Sequence, residues 1–478
     1  MVILYIVLAL LVAFLAVILI RTLRFTPKEK PLTDVPPVSF DRDRAVSNLQ
    51  QLIRCRTVSS YNPEEEDDAE FEKLIGLLPQ LYPHVFATCE FSRLSGRGLL
   101  FHWKGRGTGE PAVLMAHYDV VPVEEQNWEK PPFEGIIENG VLWGRGTIDT
   151  KVTFSGILTA ADHLIGTGFV PENDIYFAFS GGEEVNGQGA IHIVDWFEEH
   201  HITPAFVLDE GGAVVENIFP GVSQPCGMVG IAEKGMLNLT LEVASAGGHA
   251  SAPKPHTPIG VLSKACCAVE AHPFPYHLSE PVRQMFDTLG RYSTFVYRMI
   301  FANLWCFGGI LDGICKKSGG QINALMRTTV AFTKMQGSKA INVIPPVASM
   351  SANLRLNPED SIESATAYVR GLVRDPAITV TPSGGMEPSR VSTTDCAGWQ
   401  KVKSAVASTW QGCIVAPYLM VQCSDSRHYG RISDRVYRFS AQDMTAEEMN
   451  SIHGNNERIR TESIAHTAEF YIRLISQC

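Results

Sequence analysis

The chain begins with an uninterrupted apolar run, followed by a body in which short apolar runs alternate with helical patterns. Residues 2–20 contain no charge, proline or glycine, and this length is just sufficient for a helix that spans a bilayer. Because the run has no basic start and no small-residue cleavage site, we interpret it as a retained anchor and not as a cleaved signal peptide. Arg21, Arg24, Lys28 and Lys30 follow it. The positive-inside rule therefore favours a cytoplasmic body, although long domains often cross membranes regardless of that rule.

Three apolar runs bounded by turn residues predict a buried sheet. They lie at residues 113–116, 175–179 and 206–208, and helical patterns occupy residues 151–165 and 190–200 between them. Continuous apolar runs separated by helices are typical of strands buried on both faces. We therefore predict an α/β fold with a mixed or parallel sheet, preceded by one transmembrane helix.

After residue 233 the pattern changes to an alternation of apolar and polar positions, as in MLNLTLEV and VASMSANLRL. This alternation is typical of half-exposed antiparallel strands and predicts a second, α+β domain inserted into the first. Within it, residues 272–318 are aromatic and poorly periodic, which indicates a helical insertion of unassigned role. The predicted boundaries are anchor 1–21, stalk 22–40, main domain 41–232 and 383–478, and inserted domain 233–382.

Charge and cysteine content narrow the class of protein. Forty basic and 51 acidic residues among 478 give a net charge of −11, which disfavours non-specific binding to nucleic acid. The eleven cysteines are odd in number, two of them are adjacent, and no CxxC pair occurs. This usage fits a reduced compartment better than a disulfide-rich secreted fold, and it provides no structural zinc site.

Several candidate chemical groups each have an ordinary structural interpretation when taken alone. His117 and Asp119 stand two positions apart, so they face the same side of a strand, as in a metal site or a structural pair. Asp149 precedes a helical pattern, where it could equally be an N-cap. His453 lies in a polar segment and could be an ordinary surface histidine.

Two acidic pairs point more strongly to a bound cation. Glu183 and Glu184 follow the run at 175–179, and Asp209 and Glu210 follow the run at 206–208. Adjacent carboxylates repel each other unless a cation lies between them or solvent surrounds them as in an acidic loop. Strand ends form the functional edge of an open α/β sheet. Together with the histidines, these groups are a ligand set for zinc, manganese or cobalt, and there are enough of them for two ions. The chain contains no GxSxG, Walker or GxGxxG motif in the appropriate context.

The motifs resemble those of the di-zinc metallopeptidase family that includes aminoacylase, carboxypeptidase S and succinyl-diaminopimelate desuccinylase. Several segments are most similar to carboxypeptidase S and the N-fatty-acyl-amino acid synthase/hydrolase group. The resemblance covers nearly the whole chain after the anchor, through AHYDVVP, WEKPPFEG, LWGRGTIDTK, SGGEEVNGQGA, LDEGG, GGHASAP, NVIPP, ANLRLNP, DSRHY and IHGNNE.

The resemblance implies a zinc-peptidase catalytic domain, an inserted lid domain of the dimerisation type, and two zinc ions that cobalt or manganese could replace. It implies hydrolysis of the amide bond in N-acyl amino acids or small peptides with a free carboxylate, and a possible homodimer through the lid. The metal ligands it implies are His117, Asp149 as the bridge, Glu184, Asp209 and His453, with Glu210 as a rival to Asp209.

Further roles come from the same resemblance. Glu183 would be the general base, and Asp119 would orient His117. The lid would supply His249 to support the oxyanion, whereas Asn342 and Arg355 would hold the carboxylate side of the substrate.

Departures from the family pattern leave the ligand set intact. Gly182 and Thr150 replace acidic residues that many relatives carry, and Cys423–Ser424 replaces Gly, Asn or Thr, which affects the expected substrate preference. Two alternatives stay open: a membrane-tethered, non-catalytic binding protein on the same fold, and a hydrolase of a non-peptide amide. A degenerate binding protein would be expected to have lost a ligand or the base, and this chain retains them all.

Overall fold

The structure is a computed structural model that describes residues 1–478. The helices are α1 (Val2–Arg24), α2 (Arg42–Ile53), α3 (Asp68–Leu81), α4 (Pro83–Thr88), α5 (Lys151–Gly166), α6 (Gly189–Glu199), α7 (Pro258–Glu270), α8 (Glu280–Gly290), α9 (Phe295–Ala302), α10 (Leu304–Ser318), α11 (Gly320–Met326), α12 (Ile362–Val373), α13 (Ala397–Thr409), α14 (Ala446–Ser451) and α15 (Thr461–Ile475). The strands are β1 (Glu90–Leu94), β2 (Gly98–Trp103), β3 (Ala112–His117), β4 (Ile136–Glu138), β5 (Val141–Trp143), β6 (Ile175–Ser180), β7 (Phe206–Val215), β8 (Cys226–Glu233), β9 (Gly235–Ala244), β10 (Gly248–His249), β11 (Thr329–Gln336), β12 (Val343–Ile344), β13 (Val347–Leu356), β14 (Ile378–Met386), β15 (Ile414–Met420), β16 (Val436–Met444) and β17 (Arg458–Arg460).

A mixed eight-stranded sheet, which we call the large sheet, confirms the predicted α/β fold. Its strand order is β1-β2-β6-β3-β7-β16-β8-β15, with β6, β3 and β7 parallel to one another. Strands β3 and β6 are buried at every position because helices cover both of their faces. Helices α5 and α15 belong to the core on one face, and α6 packs on the other.

A second, antiparallel sheet of four strands, the small sheet, accounts for the alternating segments. Its order is β11-β13-β9-β14, and β9 and β13 alternate between buried and more exposed positions. The buried positions pack against α7 and α12 in a separate apolar core. The predicted change from a sheet buried on two faces to one buried on a single face is therefore observed, and the exact domain boundaries stay a prediction.

The helical insertion packs against the large sheet. Met285 and Leu289 of α8 belong to the same apolar cluster as Met228 of β8 and Leu419 of β15. Sequence pattern alone could not show this packing, because an apolar helix face does not specify which surface covers it.

The N-terminal helix α1 is long and apolar enough to cross a membrane, and only 6% of its most apolar segment is buried. Helices α9 and α10 are long and apolar enough for a span only when taken together, and the pair is bent by 110°. The end of α1 contacts the body of the protein: Arg21 donates to the carbonyl of Ala302 at 3.1 Å, and the Asn303 amide donates to Thr22 Oγ1 at 3.2 Å. A signal sequence near the N-terminus can be equally long and apolar.

Candidate metal centre

Three neighbouring parallel strands bring four of the predicted site residues to one edge of the large sheet: His117, Glu183, Glu184 and Glu210. His117 is the last residue of β3, and Glu183 and Glu184 lie in the turn that follows β6. Glu210 lies within β7, which continues through the acidic pair instead of ending before it. Because the carboxyl ends of parallel strands meet at one edge, residues distant in the sequence become neighbours.

Asp149 lies between the two histidines. Its Oδ1 is 3.0 Å from His117 Nε2, and its Oδ2 is 3.1 Å from His453 Nε2. His453 Nε2 is also 2.9 Å from Glu184 Oε2, and His117 Nε2 is 3.3 Å from Glu210 Oε1. The carboxylate of Asp149 makes no N-cap hydrogen bond to α5, whose N-cap is the following residue. The alternative interpretation of Asp149 as a helix cap therefore does not describe this structure.

Asp119 contacts both His117 and the turn that carries Glu183 and Glu184. Its Oδ1 is 3.3 Å from His117 Nδ1, and the hydroxyl of Ser59 donates to its Oδ2 at 2.6 Å. The backbone N–H groups of Glu183 and Glu184 donate to the same carboxylate at 3.2 Å each. Burial works to raise the pKa of Asp119, but these hydrogen bonds and the nearby imidazole lower it below its usual range. A charged Asp119 therefore orients both His117 and the turn that carries the paired glutamates.

The donor set fits a divalent cation. Burial raises the pKa of Glu183 and Glu184 above the usual range and that of Glu210 to about 8, and neighbouring carboxylates add to each shift. The buried Glu184 Oε1 has no hydrogen-bond partner. Two sets of side chains, His117 with Asp149 and Glu184 and His117 with Glu183 and Glu210, each present ligand atoms within 4.8 Å of one another. A cation among these carboxylates would reduce their mutual repulsion and would give the unpaired oxygen of Glu184 a partner.

Asp209 and Glu210 face different surroundings, because successive strand residues point to opposite sides. Glu210 faces His117, whereas Asp209 Oδ2 accepts the backbone N–H of Ser426 at 2.9 Å. The sequence left these two residues as rivals for the ligand role. The structure brings the carboxylate of Glu210 close to His117, whereas the carboxylate of Asp209 points to the backbone of Ser426.

A cavity of about 370 Å³ opens over this cluster, and we call it the metal cavity. This volume lies in the range typical of small-molecule sites. Fourteen residues line it, among them Asp149, Glu183, Glu184, Glu210, Cys423 and His453.

Of the three residues predicted to contact the substrate, only one lies near the metal cavity. Arg355 of β13 places Nη1 3.4 Å from the Sγ atom of Cys423, a residue that lines the metal cavity. His249 and Asn342 are exposed and do not line the cavity. They lie close to each other, because the N–H group of Ala250, the residue after His249, donates to the carbonyl of Asn342 at 2.9 Å. The structure thus brings Arg355 to the edge of the site and does not bring the other two residues there.

Residues beneath the site were missed by sequence reasoning. Ser180 donates a hydrogen bond to Asp425, whose pKa burial raises to about 7. Glu233, fully buried, accepts from Arg438 Nε and Arg427 Nη2 at 2.6 Å each. The only sequence signal for these residues was the polar segment QCSDSRHY, which gave no indication of their partners.

Comparison with known proteins identifies the family. Residues 113–477 match the family described as Peptidase family M20/M25/M40. The chain belongs to this family. It is 34% identical over 478 residues to the N-fatty-acyl-amino acid synthase/hydrolase PM20D1 of Xenopus tropicalis, covering 97% of this chain and 93% of that one. It is 32% identical over 480 residues to Probable carboxypeptidase S-like 2 of Dictyostelium discoideum, covering 98% and 92%.

A solved structure shows the same fold. The M20 family metallo-carboxypeptidase Sso-CP2 from Sulfolobus solfataricus superposes with a TM-score of 0.66 at 16% identity, covering 91% of this chain and 99% of that one. The resemblance drawn from the motifs is therefore confirmed at the level of family and fold.

Proposed function

We propose that this M20 family protein is a metal-dependent hydrolase of the amide bond in N-acyl amino acids or small peptides with a free carboxylate. The observation that carries this proposal is Asp149, whose two carboxylate oxygens face His117 and His453 separately. The names of the relatives, a fatty-acyl-amino acid hydrolase and a carboxypeptidase, agree with this reaction class.

The residues fit two zinc ions, which cobalt or manganese could replace. His117 and Glu210 would hold the first ion, and Glu184 and His453 would hold the second. Asp149 would bridge them. We prefer Glu210 to Asp209 for the first ion because only Glu210 faces His117. Such ions, when bound, supply a water of lowered pKa and polarise the carbonyl of the substrate.

Glu183 is the proposed general base. Its carboxyl lies in the metal cavity beside the proposed ligands, and its backbone is held by Asp119. In this role its carboxylate accepts a proton from the attacking water and returns that proton to the nitrogen of the leaving amine. Arg355, which lies beside Cys423 of the cavity lining, is the proposed partner of the substrate carboxylate, which a guanidinium can bind through two hydrogen bonds.

We infer that α1 is a membrane anchor. Its side chains are exposed along nearly the whole helix, although its end is hydrogen-bonded to the folded body. Beside it, Trp305 packs edge-on against Phe14, and the apolar side chains of Ile310 and Ile314 are about 60% exposed. A lipid environment would cover these surfaces. The basic residues after the span support a cytoplasmic body.

A homodimer through the inserted domain is a further proposal, supported by the unpaired outer edges of β11 and β14 in the small sheet.

The test is an assay of the full-length protein in lipid nanodiscs, loaded with zinc, on a panel of N-acyl amino acids and dipeptides. We expect release of the free amino acid, loss of that release on chelation, and recovery when zinc is restored. A preparation that holds zinc but releases no amino acid from any member of the panel would contradict the proposed function.

A further inference from the structure

Helices α9 and α10 of the insertion pack against the N-terminal helix, and we call this pair, residues 295–318, the hairpin. Near the start of α10, the ring centroid of Trp305 is 5.7 Å from that of Phe14 in α1. At the end of the apolar run, Arg21 donates to the carbonyl of Ala302, the last residue of α9. The hairpin therefore lies alongside the apolar part of α1 and does not only meet its end.

The contact with Phe14 determines how far the hairpin reaches into the proposed membrane span. Phe14 precedes Arg21 by seven positions, so the two lie about 10 Å apart along α1 at about 1.5 Å per residue. The hydrocarbon core of a bilayer is about 30 Å thick, and basic side chains such as Arg21 mark its boundary. With α1 as a span, a ring that contacts Phe14 lies inside the hydrocarbon region. Trp305 is such a ring.

The outer surface of the hairpin is apolar. Residues 299–311 contain no charged side chain. Soluble proteins rarely expose large apolar patches, whereas acyl chains cover such side chains without loss of hydration. Six large apolar side chains of the hairpin are between 43% and 62% exposed: Phe295, Val296, Tyr297, Trp305, Ile310 and Ile314.

Polar groups where α9 meets α10 are hydrogen-bonded within the protein. The amide of Asn303, which is fully buried between the two helices, donates to the carbonyls of Ile18 and Met299 at 3.3 and 2.9 Å. Its side-chain oxygen accepts the indole N–H of Trp305 at 3.3 Å. The bilayer core contains no water to satisfy polar groups, so they must find partners inside the protein. The amide of Asn303 and the indole of Trp305 meet this requirement.

The hairpin enters and leaves the proposed lipid region on one side. Helices of eight and fifteen residues are about 12 and 22 Å long, so neither α9 nor α10 alone can span a bilayer. Phe301 of α9 and Cys315 of α10 are both buried in the apolar cluster that joins the insertion to the large sheet. The exposed Lys316 and Lys317 end α10, and such long cationic side chains extend from apolar surroundings to lipid headgroups.

We propose that the hairpin is inserted into the membrane beside α1, as a second contact between the folded body and the bilayer that does not cross it. This inference rests on the anchor role proposed for α1 and goes beyond it, because an anchor alone leaves the body free to turn about its stalk. Two contacts hold the body in one orientation to the lipid surface. The packing of Trp305 on Phe14 and the internal hydrogen bonds of Asn303 favour lipid over a second copy of this chain as the partner.

The experiment measures tryptophan emission of full-length protein in nanodiscs whose acyl chains carry bromine, which quenches by contact. The chain has seven tryptophans, so the emission of Trp305 is the difference between the wild type and Trp305→Phe, which keeps a ring beside Phe14. We expect bromine to remove at least about half of this emission, because a ring in the hydrocarbon region touches acyl chains. Aqueous iodide should leave it unchanged. The control is Trp196→Phe, at a half-buried position of α6, whose difference emission bromine should not affect.

A probe in α1 separates failure of this inference from failure of the anchor. Leu8→Trp, made in the Trp305→Phe protein, reports on α1 alone. Bromine quenching of this probe but not of Trp305 would overturn the inference and leave the anchor in place, and quenching of neither would contradict both. Protection of Trp305 from both bromine and iodide would mean that protein, such as a second copy of the chain, covers the hairpin, and would also overturn the inference. Amide hydrolysis is not part of these measurements, so loss of the proposed reaction would not change their outcome.

A second reporter keeps Trp305 in place. Ile310→Trp adds a ring to the exposed surface of α10, and its added emission should be quenched by bromine and not by iodide. The matched control is Ile341→Trp, at a fully exposed position between β11 and β12, whose added emission should be quenched by iodide and not by bromine. Iodide quenching of Ile310→Trp without bromine quenching would place the hairpin in water and overturn the inference.

Discussion

The Nε2 atom of His453 lies 3.1 Å from the Oδ2 atom of Asp149, although the two residues come from distant parts of the chain. The other oxygen of Asp149 faces the histidine of β3. The single carboxylate of Asp149 thus contacts both histidines of the cluster. We therefore expect removal of this carboxylate to weaken binding of both proposed ions and not only one of them.

Asp149→Asn is expected to lower bound zinc from about two equivalents per chain to below one, because an amide is a poor bridge between two cations. Metal analysis after equilibrium dialysis measures this. Asp434→Asn, at a side chain that is 72% exposed, is the matched control and should retain both equivalents. Retention of two equivalents by Asp149→Asn would refute the bridging role.

Glu183→Gln is expected to retain zinc and lose at least about a hundredfold in kcat, because proton transfer by a positioned base typically contributes 10²–10⁴-fold. Single-turnover assays together with metal analysis distinguish loss of the base from loss of metal. Near-normal turnover in this variant would show that another group accepts the proton.

The structure also distinguishes the two acidic residues that the sequence left as rivals. Glu210→Gln is expected to weaken binding of one zinc ion by at least about tenfold while the other stays bound. Asp209→Asn should retain both ions, because Asp209 faces the backbone N–H of Ser426. Competition with a chelator of known affinity measures both. The reverse result would return the ligand role to Asp209.

Much of this site follows from the sequence, because strand ends in an α/β fold are spatially defined by the sheet. The apolar runs before His117, Glu183 and Asp209 predicted strands β3, β6 and β7, and parallel neighbours bring their ends together. The choice between Asp209 and Glu210 did not follow, because β7 continues through both and side-chain direction depends on the register of the strand. A one-residue change of register exchanges which carboxylate faces the metal.

Contacts between separate parts of the fold could not be predicted in the same way. The proximity of Arg355 to Cys423 depends on how the small sheet sits against the large one, and no local pattern encodes this. The same is true of the buried group formed by Glu233 and two arginines. Hydrophobic periodicity identifies the face that a strand buries, and it contains no information about which distant side chain will meet that face.

Arg355→Met is expected to raise KM about 10–100-fold for substrates with a free carboxylate, since hydrogen bonds to charged groups contribute about 1.5–3 kcal/mol. Substrates whose carboxylate is capped as an amide should change little. Steady-state assays of both substrate types give the comparison, and Arg374→Met, at an exposed position in the same domain, is the control. An equal rise in KM for both substrate types would exclude Arg355 as the carboxylate partner.

The buried side chain of Lys234 should make stability depend on pH. Its ammonium group donates to the carbonyls of Ala324 and Arg327 at 2.7 and 2.8 Å. Burial, with a further contribution from Arg355, lowers the pKa of Lys234 from its ordinary value of 10.5 to about 7. Between these two values the unfolded chain binds more protons than the folded one, so stability rises with pH across that window. Below about pH 7 both states are protonated and the dependence ends.

The variant Lys234→Met removes this titration. From about pH 7.5 to about pH 9.5 the free energy of unfolding of the wild type should gain about 2–3 kcal/mol relative to the variant, at about 1.4 kcal/mol per pH unit. Urea unfolding of metal-free protein at the two pH values measures the difference. Lys264→Met, at an exposed position, should follow the wild type. Parallel pH profiles for the wild type and Lys234→Met would mean that Lys234 keeps its ordinary pKa in the folded protein.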